Sequence, residues 1–188
     1  MPEIEYPEPR LEDGVIALRQ MREGDVAAVT AACQDPLIAR YTLVPSPYGE
    51  DDAREWFRVA EQQRRDGNGL HFVAVDAAGD GVLGSVGINA ITWQHRVGQI
   101  GYWVAPEARG RGVAMRSVRL LARWALGDLG LARVEIRVDV ENEPSQLVAE
   151  AAGFIREAVL RSRAESKGRR WDEVMFSLLP EDLEGAEK

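Results

Sequence analysis

One stretch limits the fold more than any other. Val97–Val104 reads as a strand, a turn built on Pro106, Gly110 and Gly112 follows, and Arg111–Leu126 carries a strong helical repeat. On that helix Ala114, Val118, Leu121 and Ala125 share one face, while Arg116, Arg119 and Arg123 point elsewhere. Arg133–Val140 is a strand again, with Val134, Ile136 and Val138 alternating against Glu135, Arg137 and Asp139. This strand–helix–strand crossover is single. The strands before it and after it come as hairpins, so the chain predicts a mixed α/β fold rather than the steady alternation of a doubly wound sheet.

The remaining segments agree. Val15–Arg19 is a short strand, and Gly24–Gln34 a helix limited by Pro36. Tyr41–Tyr48 holds Pro45 and Pro47 and reads as a loop. Glu50–Arg65 is a long helix whose first residues, Glu50, Asp51 and Asp52, suit the positive end of its dipole. Leu70–Asp76 and Val82–Ile91 flank a turn at residues 77–81 and predict a hairpin. Glu143–Ala152 is a short helix with Pro144 in its first turn. Phe154–Ser162 and Trp171–Leu179 are the last strands. With 188 residues, 45% hydrophobic and 29% charged, no repeat and no low-complexity linker, residues 1–188 are expected to form one domain with a core over about 15–179.

Charge is unevenly spread. Residues 1–108 hold 9 basic and 17 acidic side chains, and residues 109–188 hold 14 of each, so the whole net charge of −8 lies in the first part. That balance argues against general nucleic-acid or anionic-membrane binding. Cys33 is the single cysteine, which excludes an intrachain disulfide and a cysteine-based zinc site. The two histidines, His71 and His95, have no chelating spacing, so no metal is expected. Met1–Arg10 lacks the basic start and apolar run of a signal peptide, and a cytoplasmic location is expected.

The most informative run is Val104-Ala105-Pro106-Glu107-Ala108-Arg109-Gly110-Arg111-Gly112-Val113-Ala114. Amides at a helix start lack internal partners and carry the positive end of the dipole. Gly110 and Gly112 leave room for an anion to approach them, and Arg109 and Arg111 can add charge-assisted bonds. The run is neither a Walker loop nor a dinucleotide fingerprint. It reads as a phosphate cradle, or as a glycine-rich turn packed under a helix.

Arg109-x-x-Gly112-x-Ala114 resembles the signature of the GNAT superfamily of N-acetyltransferases. Gly101-Tyr102-Trp103-Val104-x-Pro106 before it, and Asn142-x-x-Ser145 and Ala151-Ala152-Gly153-Phe154 after it, resemble the RimJ/RimL-like branch, the ribosomal-protein-alanine acetyltransferases. Asp172 and Phe176-Ser177-Leu178 fit the same branch, so the resemblance spans Val15 to Leu179. It implies a bent, mostly antiparallel sheet flanked by helices, with acetyl-CoA in a V-shaped opening. It also implies that the strand Ile100–Val104, with Tyr102, Trp103 and Val104, offers backbone groups to the pantetheine arm. Arg109, Gly110, Arg111, Gly112, Val113 and Ala114 would hold the diphosphate, and Asn142 would contact the cofactor near the thioester.

Acetyl transfer needs a neutral amine, a polarised carbonyl and a proton for the departing thiolate. The resemblance makes the Val104 N–H the carbonyl's partner and Ser145 the acid, because the tyrosine that many relatives place after the crossover strand is missing here. Asn142 and Ser145 could instead simply cap a helix. For the base, relatives often carry a glutamate where this chain has Gln99; Glu165 and Asp172 are candidates, Glu135 on its alternating strand is either a further one or a solvent-facing residue, His71 reads as core and His95 as a turn residue that could shuttle protons. Cys33, in an alanine-rich helix, reads as a buried thiol. An α-amine of pKa ~8 is roughly one-tenth neutral at pH 7, whereas deprotonating a lysine costs about 3 kcal/mol more. A site without a strong base therefore favours protein N-termini or small amines of low pKa.

Tyr41 and Tyr48, with Trp93 and Trp103, are candidates to flank the acceptor opening, and the turn Ser166–Arg170 either closes over a ligand or stands as a solvated hairpin tip. The expected partners are acetyl-CoA and an amine acceptor, with the protein a monomer or a homodimer. A polyamine or aminoglycoside acetyltransferase and a non-catalytic CoA-binding module are the alternatives.

Overall fold

The computed structural model describes residues 3–185. In chain order the elements are β1 (Leu11–Glu12), β2 (Ile16–Arg19), α1 (Val26–Ala32), α2 (Pro36–Tyr41), α3 (Glu50–Arg65), β3 (Leu70–Asp76), β4 (Val82–Thr92) and β5 (Val97–Val104). There follow α4 (Val113–Leu126), β6 (Arg133–Asp139), α5 (Glu143–Ala151), β7 (Ile155–Ser166), β8 (Arg169–Leu178) and α6 (Pro180–Gly185). The strands form one sheet in the order β1-β2-β3-β4-β5-β6-β8-β7. Every neighbouring pair is antiparallel except β5 and β6, which the crossover helix α4 joins in parallel.

Alternation along the strands builds two apolar layers. Leu70, Phe72 and Ala74 of β3, Ile100 of β5, Val134, Ile136 and Val138 of β6, and Val174, Phe176 and Leu178 of β8 pack with Val118, Leu121, Ala122 and Ala125 of α4. On the other face Val26 and Val29 of α1, Ile38 of α2, Tyr48 and Ala53 form a smaller cluster. The buried stripe of α4 starts at Val113, and Ala114 is only half-buried. Ile4, ahead of the first strand, is buried as well, with its N–H donating to Arg64 O at 3.1 Å.

Two local readings need correction. Pro36 does not only end a helix; it opens α2, because Asp35 is its N-cap and Asp35 Oδ1 accepts from the amides of Leu37 (2.7 Å) and Ile38 (3.2 Å). Tyr41 is thus helical rather than the start of a loop. The last two strands also run further than their apolar residues indicate. β7 and β8 pair out to Ser166↔Arg169 around Lys167 and Gly168, both at positive φ (51° and 73°), as a two-residue hairpin turn requires. Backbone pairing continues there through charged residues, which apolar alternation does not register.

Candidate active site

The parallel pair makes the opening. β5 and β6 share only Val97↔Arg133, Gly98↔Val134 and Gln99↔Glu135, then run on unpaired to Val104 and Asp139. The Ala105 N–H donates to Leu83 O on the β4 side at 2.9 Å. Since peptide groups alternate sides along a strand, those of Tyr102 and Val104 point away from β4, into the gap. A donor and acceptors are thereby presented where a thioester carbonyl and an amide-bearing arm can meet them. Trp103 packs against both apolar clusters.

At the end of β5 the chain builds the anion cradle. Gly110 and Gly112 adopt φ of 73° and 74°, a conformation that L side chains rarely take, and a side chain on Gly110 would stand in open space. Gly112 is the N-cap of α4 and supplies no side-chain cap, and the first turn of α4 has no acidic residue. Among the described residues, the backbone amides of residues 110–115 find no acceptor; the first to do so is Arg116, bonded to Gly112 O at 3.0 Å. Six successive donors at a helix start fit a diphosphate. The two arginines differ. Arg109 is tied to Asp35 at 3.0 Å and so anchors the cradle to the N-cap of α2. Arg111 is more than half exposed and reaches Asp76 only at 4.0 Å.

Across the gap lies α5. Asn142 is its N-cap, with Oδ1 accepting from the Ser145 amide at 3.3 Å. This engages the backbone of Ser145, not its hydroxyl. The Ser145 Oγ lies 2.6 Å from the Tyr102 hydroxyl, which also donates to Ser145 O at 3.2 Å. Burial pushes the Tyr102 phenol up to about 12. The Tyr102–Ser145 pair therefore links the two walls of the opening. Sequence reading placed the two residues there for different reasons and missed their contact. The signal lay in the alternation, which puts Tyr102 on the α4 and α5 side of the sheet together with Gly98 and Ile100.

The carboxylates are mostly engaged. Gln99 neighbours Glu135 across the parallel pair. Glu135 does not face solvent freely: its side chain is 12% exposed and lies between Arg133 (2.9 Å) and Arg137 (3.0 Å). Glu165 sits at the β7–β8 tip, paired with Arg170. Asp172 Oδ1 accepts from the Ser162 amide at 2.7 Å, pinning an irregular stretch of β7. Glu173, which sequence reading passed over, differs from these: burial raises its pKa, partly offset by Arg137 and Arg163. His71 Nε2 bonds Gln63 Oε1 at 2.8 Å, and burial lowers its pKa to about 4. His95 is exposed in the β4–β5 turn, at the far end of β5 from Val104. Cys33 is buried, which pushes its thiol up to about 12. Among the described residues, no cluster of three or more His, Cys, Asp or Glu is placed to hold a metal ion, and no helix is long and apolar enough to cross a membrane.

The aromatic residues divide. Tyr48 belongs to the smaller apolar core, so it does not flank an opening. Trp93 donates to Gly67 O at 2.6 Å, beside the β4–β5 turn. Tyr41 stays half-exposed, its hydroxyl 3.5 Å from Glu141 O. The β7–β8 tip is a solvated hairpin tip, with Glu165, Lys167, Gly168 and Arg170 exposed, yet it is tied down: Lys167 Nζ donates to the carbonyls of Ala39, Thr42 and Val44 and caps the end of α2. Arg169 reaches Asp139 (2.6 Å) and Glu141 (2.8 Å), and Arg40 also meets Glu141 (3.0 Å). These contacts tie α2 to the far wall of the opening.

A mostly antiparallel sheet whose parallel pair parts beside its crossover, with unpaired backbone groups on one wall and a run of free amides at its end, fits an acyltransferase that takes a CoA thioester. Residues 16–155 match the acetyltransferase (GNAT) domain, and the chain belongs to that family, in its RimJ/RimL-like branch. It is 28% identical over 170 residues to an uncharacterized N-acetyltransferase, p20, of Bacillus licheniformis, covering 90% of this chain and 96% of the relative. It is 26% identical over 157 residues to the spermidine N(1)-acetyltransferase of Vibrio cholerae, covering 84% and 88%. The solved structure of Mycobacterium smegmatis RimJ in complex with CoA-disulfide superposes with a TM-score of 0.81 at 26% identity, over 90% of this chain and 84% of that one. The protein is an acetyl-CoA-dependent N-acetyltransferase.

Proposed function

We propose that the acceptor is a protein N-terminal α-amine, acetylated by direct attack on acetyl-CoA in a ternary complex. The carrying observation is the wall of the opening: Gln99 stands where relatives carry a glutamate, and its neighbour Glu135 is already paired with Arg133 and Arg137. An amine already partly neutral at pH 7 suits that wall better than a lysine, by about 3 kcal/mol. Glu135 is held between Arg133 and Arg137, which leaves little unbalanced negative charge there for a polycation. On α3 five acidic side chains meet four basic ones, and Glu50, Glu55 and Glu61 are paired with Arg54, Arg58, Arg64 and Arg65, so this helix offers a polycation little net charge.

In this reading the residue 110–115 amides, with Arg111, hold the diphosphate, Arg109 anchors the cradle through Asp35, and Gly110, Gly112, Val113 and Ala114 shape it. Tyr102, Trp103 and Val104 receive the pantetheine arm, and the Val104 N–H stabilises the carbonyl oxygen. Asn142 orients α5 and Ser145 protonates the thiolate. Glu165 and Asp172 act in the fold, each already bonded. The likeness to a spermidine acetyltransferase makes a polyamine the competing acceptor.

One experiment separates these. Calorimetry with acetyl-CoA is followed by incubation with short peptides bearing free N-terminal Ala or Ser, N-acetylated lysine peptides, spermidine and an aminoglycoside, read by thiol release and mass. The expected result is acetyl-CoA binding and fastest transfer to the free N-termini. Faster transfer to spermidine would replace the acceptor; no acetyl-CoA binding at high micromolar ligand would remove the whole reading.

A further inference from the structure

We infer that Tyr102 is a positioning residue for the acid step: its hydroxyl hands a proton to Ser145 as Ser145 hands one to the thiolate. The inference rests on the reading of Ser145 as the acid. Three observations carry it. The two hydroxyls are 2.6 Å apart, at hydrogen-bond contact, and either can donate. They come from opposite walls of the opening, Tyr102 on β5 and Ser145 in the first turn of α5, and meet beside the backbone groups of Tyr102 and Val104 that point into it. The Ser145 amide also donates to Asn142 Oδ1 (3.3 Å) and to Asn142 O (3.1 Å), which holds the Ser145 backbone at the start of α5 and leaves its hydroxyl to Tyr102.

The chemistry needs such a partner. An aliphatic hydroxyl that gives its proton to a thiolate is left as an alkoxide, a far stronger base than the thiolate of ordinary pKa ~8.5. Ser145 alone would hold that charge in a half-buried site. A phenol is much the stronger acid, and even raised to about 12 by burial it remains a better source than serine. A hydroxyl is donor and acceptor at once, so Ser145 can give one proton while receiving another. The step balances. The amine nitrogen bonds the acetyl carbon, the C–S bond breaks with its electron pair on sulfur, and sulfur takes the Ser145 proton. Ser145 takes the Tyr102 proton, and the proton lost by the nitrogen returns to Tyr102 through water. The phenol that many relatives place after the crossover strand is thus replaced by one from the opposite wall.

The test uses the full chain, acetyl-CoA and hydroxylamine, a small amine neutral at pH 7 that needs no recognition, in single turnovers read by thiol release above the uncatalysed background. Tyr102→Phe keeps the ring and its packing. Its single-turnover rate is expected to fall at least tenfold while the dissociation constant for acetyl-CoA stays within twofold. Ser145→Ala is expected to fall as far, and the double variant no further than the slower single one. In mixtures of H2O and D2O the wild-type rate should curve with deuterium fraction, because two protons move, whereas the Tyr102→Phe rate should vary linearly. A Tyr102→Phe rate within twofold of wild type, multiplicative losses in the double variant, or a linear wild-type response overturns the relay. A fast Ser145→Ala beside a slow Tyr102→Phe overturns its order and makes Tyr102 the direct acid. Ser145→Ala and Tyr102→Phe both at wild-type rate would remove the serine reading and the relay together. Circular dichroism and thermal melting of each variant keep a folding defect apart from these outcomes.

Discussion

α3 and α4 begin in opposite ways. The first turn of α3 holds Glu50, Asp51 and Asp52, and Asp52 Oδ2 accepts from the Gly49 amide at 2.7 Å. Its positive end is answered by its own sequence. α4 starts at Gly112, with no side-chain cap and no acid in its first turn, and six amides before Arg116 find no acceptor among the described residues. The same dipole is therefore closed in one helix and left open in the other. An anion held at this start would depend less on a local excess of basic residues than on the absence of internal competitors for those amides.

The sharpest way to break this contrast is to close α4 as α3 is closed. Gly112→Asp puts a carboxylate at the N-cap in a left-handed conformation, which aspartate tolerates better than most residues. Acetyl-CoA affinity is expected to fall about 100-fold, or ~2.7 kcal/mol, with helix content retained. Calorimetry and circular dichroism check both parts, and a dissociation constant within threefold of wild type would mean that the anion binds elsewhere.

Next in size is Arg111→Ala. Arg111 is more than half exposed and its contact to Asp76, at 4.0 Å, is long, so it remains available to a ligand phosphate. Acetyl-CoA KM should rise about tenfold at low salt, and the gap to wild type should narrow at 0.5 M salt as screening weakens the contribution. The converse test is on α3. Asp52→Ala should lower stability by roughly 1 kcal/mol through the lost cap and leave acetyl-CoA affinity unchanged. Urea denaturation and calorimetry on one preparation read both; a shift in affinity would show that the two helix ends are coupled.

The contrast also explains what could be read from the chain. The bare start of α4 is written in six adjacent residues, and the acidic start of α3 in three, so both were legible. The crossover helix and the β6 strand were equally plain, because burial repeats at 3.6 or 2 residues. What escaped notice depends on distance through space. Lys167 caps α2 from 123 to 128 positions away, and Tyr102 meets Ser145 across 43. Tyr48 sits in a polar, proline-rich run and is nonetheless buried against α1 and α3. α2 was missed for a local reason: Asp35-Pro36 can end one helix or begin the next, and only the Asp35 bonds to Leu37 and Ile38 decide it.

The smallest expected effect sharpens the comparison through pH. On the closed helix, hydrogen bonds from Arg64 and then Arg65 hold Glu61 down at about 2, from an ordinary value of 4.5. Its folded pKa lies below its unfolded one, so its contribution is present above about 4.5 and is lost as pH falls toward 2. Glu173 has the opposite sign: burial raises its pKa, so ionisation costs stability once pH exceeds the carboxylate range. Glu61→Gln should therefore be less stable than wild type at pH 7 and converge with it in acid. Glu173→Gln should be the more stable at pH 7 and also converge in acid. Urea midpoints from pH 2 to pH 7 measure both. Equal midpoints for Glu61→Gln and wild type at pH 7 would show that the ion pairs at the C-terminal end of α3 neutralise charge without stabilising the helix, as exposed pairs commonly do.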